Sequence, residues 1–133
     1  MLIVKDVLTR HVITAHFETT VRELAEIMKE KKIGSVFITD DDGLKVGIVT
    51  ESDIVRKVVG GDIVPYTTQA RQIMSSPLIT IDLHANIYQA QELMDQRRVL
   101  HLAVTDGDEF AGMISIRDLI HPYEHFERGT SWV

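Results

Sequence analysis

The sequence predicts an α/β (α+β) fold in which one β-α-β-β-α unit is written twice. Three observations predict it. Sliding the 133-residue chain by 66 residues lays DVLTRHVIT over QIMSSPLIT, each ending on a threonine, Thr14 and Thr80. The same shift lays TTVRELAEIM over ANIYQAQELM and SVFITDDDG over HLAVTDGDE. After one residue is lost in the second turn, GIVTESD (residues 47–53) returns as GMISIRD (residues 112–118) at an offset of 65. Self-similarity at a fixed period marks supersecondary units that bury their apolar faces by stacking.

Each element follows from local pattern. VITA and LITI are short apolar runs of strand type, although four residues alone do not separate strand from buried helix. In the first helix Val21, Leu24, Ala25 and Met28 keep the i, i+3, i+4, i+7 spacing of a buried stripe, and Thr20 with Glu23 forms a capping box at its start. Ile87, Ala90, Leu93 and Met94 repeat the stripe, with Asn86 and Gln89 in the cap positions. SVFIT and LHLAVT read as strands, DDDG and DGDE as turns, and VGIV and AGMI as the returning strands of two hairpins. SDIVRKVV and RDLIH read as closing helices, the second curtailed near Pro122. GGDIVPYTTQ, with two glycines and a proline, reads as a linker. The expected division is therefore repeat 1 over 1–59, linker over 60–69, repeat 2 over 70–120 and a tail over 121–133. Met28, Met74, Met94 and Met113 are expected in the core.

Composition sets outer limits. With 44% apolar and 26% charged residues the chain can bury a core rather than remain disordered. It has no cysteine, which removes disulfides and thiolate metal sites and is compatible with a reducing cytosol. No apolar run approaches the roughly 18 residues of a membrane span, so a soluble, cytoplasmic protein without a membrane partner is expected. A net charge of −6 with no basic block disfavours nucleic acid. A small anionic ligand needs only a local donor pocket.

The repeated phrase carries the chemistry. Thr50-x-x-Asp53 and Ser115-x-x-Asp118 are helix-start signatures, in which the hydroxyl accepts from an orphan N–H and the acid favours the positive end of the helix. Such a cap does not account for Gly47 and Gly112, three residues before each hydroxyl. Glycine there lets another backbone or a ligand come close. A strand ending at a helix start beside an aspartate offers N–H donors for phosphate and a two-oxygen acceptor for ribose hydroxyls.

On these residues the chain resembles a tandem pair of CBS domains, the Bateman module. The resemblance runs from about Val4 to Ile120 and rests on the ordered double set: DVLT and QIMS before VIT and LIT, then GIVTESD and GMISIRD. It implies two repeats packed with pseudo-two-fold symmetry, forming a non-catalytic sensor with no cofactor beyond a regulatory ligand. That ligand is an adenosine nucleotide (AMP, ADP or ATP) or S-adenosylmethionine, held in clefts between repeats. Carried over, the first cleft takes Gly47, Ile48, Thr50 and Asp53, faced by Thr80, Ile81, Ala85, His101 and Leu102. The second takes Gly112, Ile114, Ser115 and Asp118, faced by Thr14, Ala15, Thr19, Ser35 and Val36. His101 sits where many members place a phosphate-contacting histidine, with Arg97 and Arg98 nearby. Ser35-Val36 replaces residues that are often basic, and Leu102 stands where arginine is frequent, so the Asp53 cleft ranks above the Asp118 cleft. A homodimer and a regulated partner protein are implied as well.

Two other readings compete. A ligand-free dimerisation or docking scaffold draws support from Tyr123, Phe126 and Trp132 in the tail. A zinc hydrolase draws on His121-x-x-Glu124-His125, which fits a zinc-peptidase pattern. Pro122 and the short remaining chain argue against the latter.

Overall fold

The computed structural model describes residues 1–122. By internal packing they form two units, Ile13–Leu78 and Met1–Val12 together with residues 79–122. The chain is thus divided at points different from those of its sequence repeats.

In the unit Ile13–Leu78, β1 (Thr14–His16) pairs in parallel with β2 (Ser35–Thr39), and β2 pairs antiparallel with β3 (Lys45–Thr50). The parallel pair needs a crossover, supplied by α2 (Val21–Lys31). Its stripe of Val21, Leu24 and Met28 is buried against Val36 and Ile38 of β2 and Val49 of β3. The Thr20 hydroxyl accepts from the Glu23 N–H at 3.2 Å, capping the start. At the other end Lys32 adopts the left-handed conformation, φ 55°, that closes a helix. β3 runs into α3 (Glu51–Asp53), which continues as a wider π-turn over Ile54–Val59.

The linker is lashed to the start of α2. The Val21 N–H donates to Thr68 O at 2.8 Å and the Arg22 N–H to Pro65 O at 3.1 Å, which satisfies amides that a helix cannot pair internally. α4 (Ala70–Ile73) follows and places Ala70 and Ile73 in the same core as α2.

The other unit repeats the plan. β4 (Thr80–Asp82) lies parallel to β5 (His101–Asp106), which pairs antiparallel with β6 (Glu109–Ser115). The crossover is α5 (Ile87–Arg97), with the Asn86–Gln89 capping box formed in both directions. Arg98 closes it in the left-handed region, φ 54°, 66 residues after Lys32. β6 ends in α6 (Ile116–Ile120). The remaining element is α1 (Val4–Val7). Its Val4 and Val7, with Leu8, are buried among Ile81, Leu83, Ala90, Met94, Leu102, Val104 and Ile114.

The openings of the two sequence repeats are therefore exchanged. The segment before β1 completes the core around β4–β6, and the segment before β4 completes the core around β1–β3. Backbone pairs fasten each one: Thr9 and Met113 exchange two hydrogen bonds of 2.8 Å, while Ile48 and Ser75 exchange bonds of 3.1 and 2.9 Å. Met28 and Met94 lie in the two cores, Met113 is buried, and Met74 packs at the edge of the first core.

This exchange explains the two glycines. A Cβ on Gly47 would meet Met74 Sδ at 2.6 Å and Ser75 O at 3.0 Å. On Gly112, φ +156°, it would overlap the Thr9 carbonyl oxygen and come within 2.8 Å of Leu8 Cδ1. At both positions the neighbouring segment makes the close approach that the glycine permits.

Candidate functional site

Each unit presents one strand-to-helix corner. In the first, the Thr50 hydroxyl accepts from the Asp53 N–H at 3.3 Å. Asp53 Oδ2 in return accepts from the Thr50 N–H at 2.9 Å and from its hydroxyl at 3.1 Å. The second oxygen, Oδ1, receives Lys57 Nζ at 2.9 Å and the Ser75 hydroxyl at 3.5 Å. The corner is thus a capping box with a charged partner added, and the Asp53 side chain is only 10% exposed.

The second corner has the same cap. The Ser115 N–H donates to Asp118 Oδ2 at 2.7 Å and the Ser115 hydroxyl donates at 3.2 Å, while the Asp118 N–H returns to that hydroxyl at 3.4 Å. Both residues are buried. Pro122 stands four residues after Asp118, where the first corner has Lys57.

The remaining expected residues divide between the units. Thr14, Ala15, Thr19, Ser35 and Val36 share the unit of Asp53, while Thr80, Ile81, Ala85, His101 and Leu102 share that of Asp118. Within each sheet the middle strand starts beside the cap: Ser35 lies opposite Thr50, and His101 lies opposite Ser115. Several of these side chains belong to the cores. Val36 is buried with Leu24, and Ile81, Leu102 and Ile114 are buried with Val4 and Val7, so only their backbone remains for a ligand. Other backbone groups are already engaged. The Ala85 carbonyl accepts from Val4 N–H at 2.8 Å, and the Thr19 carbonyl from Ala70 N–H at 2.7 Å. Ile48 is half-buried and pairs with Ser75 in both directions. Thr14 and Thr80 are exposed at the strand starts.

Sequence reasoning missed Lys57 and Ser75. Lys57 carries a signal, since it follows Asp53 by four residues, the spacing at which acid and base meet on a helix. Ser75 carries none, because its position depends on the exchanged opening.

Among the described residues no group of three or more histidines, acids or cysteines is placed to hold a metal ion. His121 ends α6, where its N–H donates to Arg117 O; Glu124, His125 and the aromatic Tyr123, Phe126 and Trp132 lie outside the described residues. No helix among those described is long and apolar enough to cross a membrane.

The doubled corner and the doubled sheet agree with a match to the family model of the CBS domain, found twice, over residues 4–60 and 70–124. The chain belongs to the CBS-domain family. As a CBS pair it is similar to an uncharacterized protein of Methanopyrus kandleri, with 35% identity over 90% of this chain and 63% of that one. Its fold is that of the hexameric CBS-CP12 protein from bloom-forming cyanobacteria, with a TM-score of 0.83, 27% identity and coverage of 98% and 76%. A CBS domain protein from Pyrobaculum aerophilum complexed with AMP superposes with a TM-score of 0.78, at 28% identity and coverage of 88% and 89%. The CBS pair spans between 32% and 63% of the length of three curated relatives that it matches.

Proposed function

We propose that this CBS pair is a non-catalytic regulatory module that binds an adenosine nucleotide, with the Asp53 corner holding the ribose. The observation that carries the reading is the Asp53 carboxylate: a shielded two-oxygen acceptor at the end of a glycine-bearing strand, oriented by its own cap. A ribose diol is a natural donor to a carboxylate oxygen with acceptor positions to spare. The AMP bound by the Pyrobaculum aerophilum relative supports the ligand class. Asp53 is ranked above Asp118 on the sequence around the second site, where Ser35 and Val36 stand in place of residues that are often basic.

Thr14, Ala15 and Ser35 in the unit of Asp53, and Thr80 and His101 in the unit of Asp118, are proposed as further ligand contacts of their own units, through hydroxyl, ring or backbone. A homodimer is proposed too, in keeping with the hexameric cyanobacterial relative and with the outward-facing Val55 and Val59, 62% and 75% exposed on the π-turn. Regulation then follows from unequal affinity: the nucleotide shifts the module toward whichever state binds it better, by no more than that difference.

The test is calorimetric titration with AMP, ADP, ATP and S-adenosylmethionine, on the parent and on Asp53→Ala. Loss of charge-assisted hydrogen bonds worth roughly 1.5–3 kcal/mol lowers affinity about tenfold to a hundredfold. Equal affinity of the two proteins removes Asp53 from the site.

A further inference from the structure

We propose that Lys57 is a competitor built into the chain, occupying the Asp53 carboxylate until a ribose displaces it. It thereby sets the affinity of the corner and couples binding to the hold on the α4 segment. The inference rests on the reading that Asp53 receives the ribose.

A carboxylate has about four acceptor positions on its two oxygens. At Asp53 those of Oδ2 are committed to Thr50, whose N–H and hydroxyl both donate to it, and opening them would undo the helix cap. The positions a diol can claim are those of Oδ1, held by Lys57 at 2.9 Å and by Ser75 at the weak distance of 3.5 Å. Lys57 is the partner that can yield. Its side chain is 43% exposed against 10% for Asp53, and a four-carbon stem carries its ammonium into water with little obstruction.

The same ammonium donates to Ile73 O at 2.8 Å, at the end of α4. Directly after Ile73 come Met74, which fills the space over Gly47, and Ser75, which bridges Ile48. Lys57 therefore ties Asp53, the end of α4 and the β3 crossing into one knot, and its departure loosens the crossing as the ligand arrives. The second corner has proline at the corresponding place.

The test uses Lys57→Met and Lys57→Arg in the full chain. AMP, ADP and ATP are titrated by calorimetry, and amide hydrogen exchange is followed at Ile48 and Ser75. Lys57→Met is expected to bind about tenfold more tightly than the parent, the scale of one charge-assisted hydrogen bond no longer to be displaced. Its Ile48 and Ser75 amides should exchange faster. Lys57→Arg, which keeps the charge and the donors, should stay close to the parent in both. A purely structural lysine would lower affinity and protection together, whereas a competitor moves them in opposite directions. Equal or weaker binding by Lys57→Met, with the parent binding normally, overturns the competitor and leaves the nucleotide reading standing. If the parent binds none of the three nucleotides, or if Asp53→Ala binds as well as the parent, both readings fall.

Discussion

Replacing Gly112 by alanine should cost far more stability than the same change at Gly47, although the two glycines occupy equivalent places in the repeated phrase. At Gly112 the new Cβ would overlap the Thr9 carbonyl oxygen, a backbone atom held by its own hydrogen bond to Met113, and press on Leu8 Cδ1 at 2.8 Å. Relief requires the Thr9 strand to move away. That weakens two backbone hydrogen bonds of about 1 kcal/mol each and adds overpacking strain of about 1–3 kcal/mol. The backbone angle of +156° adds to the cost for a residue with a side chain. Full release of the segment is not expected, since exposing Val4, Val7 and Leu8 would cost roughly 1.5–3 kcal/mol apiece. The sum is about 3–5 kcal/mol. At Gly47 the nearest atoms are Sδ and Cγ of Met74, at the end of a flexible side chain, with Ser75 O at 3.0 Å. A rotamer change absorbs most of the overlap, leaving about 1–2 kcal/mol. Urea unfolding of both variants reads the difference. A Gly112→Ala loss below about 1 kcal/mol, or one smaller than that of Gly47→Ala, would refute the close-approach account.

The exchanged openings predict how fragments behave: residues 13–78 hold one core in a single stretch, whereas residues 1–60 lack its Ala70 and Ile73. By circular dichroism the 13–78 fragment should therefore keep more helix and melt more cooperatively, and equal behaviour would contradict the exchange. For the proposed dimer, Val55→Glu with Val59→Glu should lower the mass seen by light scattering to that of one chain, and an unchanged mass would move the interface elsewhere.

Much of the fold is legible because its signals are local. The buried stripe of Val21, Leu24 and Met28, the Asn86–Gln89 box and the acidic hairpin turns each declare an element within a few residues, and duplication states each twice. The four-residue helices α1 and α4 are too short to show a period, so nothing in VKDV or ARQI distinguishes helix from loop. Lys32 and Arg98 are equally silent, because a left-handed helix end is ordinarily marked by glycine. The exchange of openings is invisible for a different reason. Two nearly equivalent repeats offer each opening two similar cores, and which one it enters depends on chain connection rather than on residue type.

That exchange changes what the repeated phrase means. Read along the sequence, glycine, hydroxyl and acid form one motif, and the glycine invites a ligand. In the fold the motif separates into parts with different tasks: the glycine admits the neighbouring segment, the hydroxyl and acid cap a helix, and the only acceptor oxygen outside the cap in the first corner, Asp53 Oδ1, is the one Lys57 holds. A cap alone would not require a carboxylate so shielded and so fully used, since exposed caps serve Thr20 and Asn86 in the same chain. Structural duty and the proposed ligand duty therefore meet on a single atom, Asp53 Oδ1.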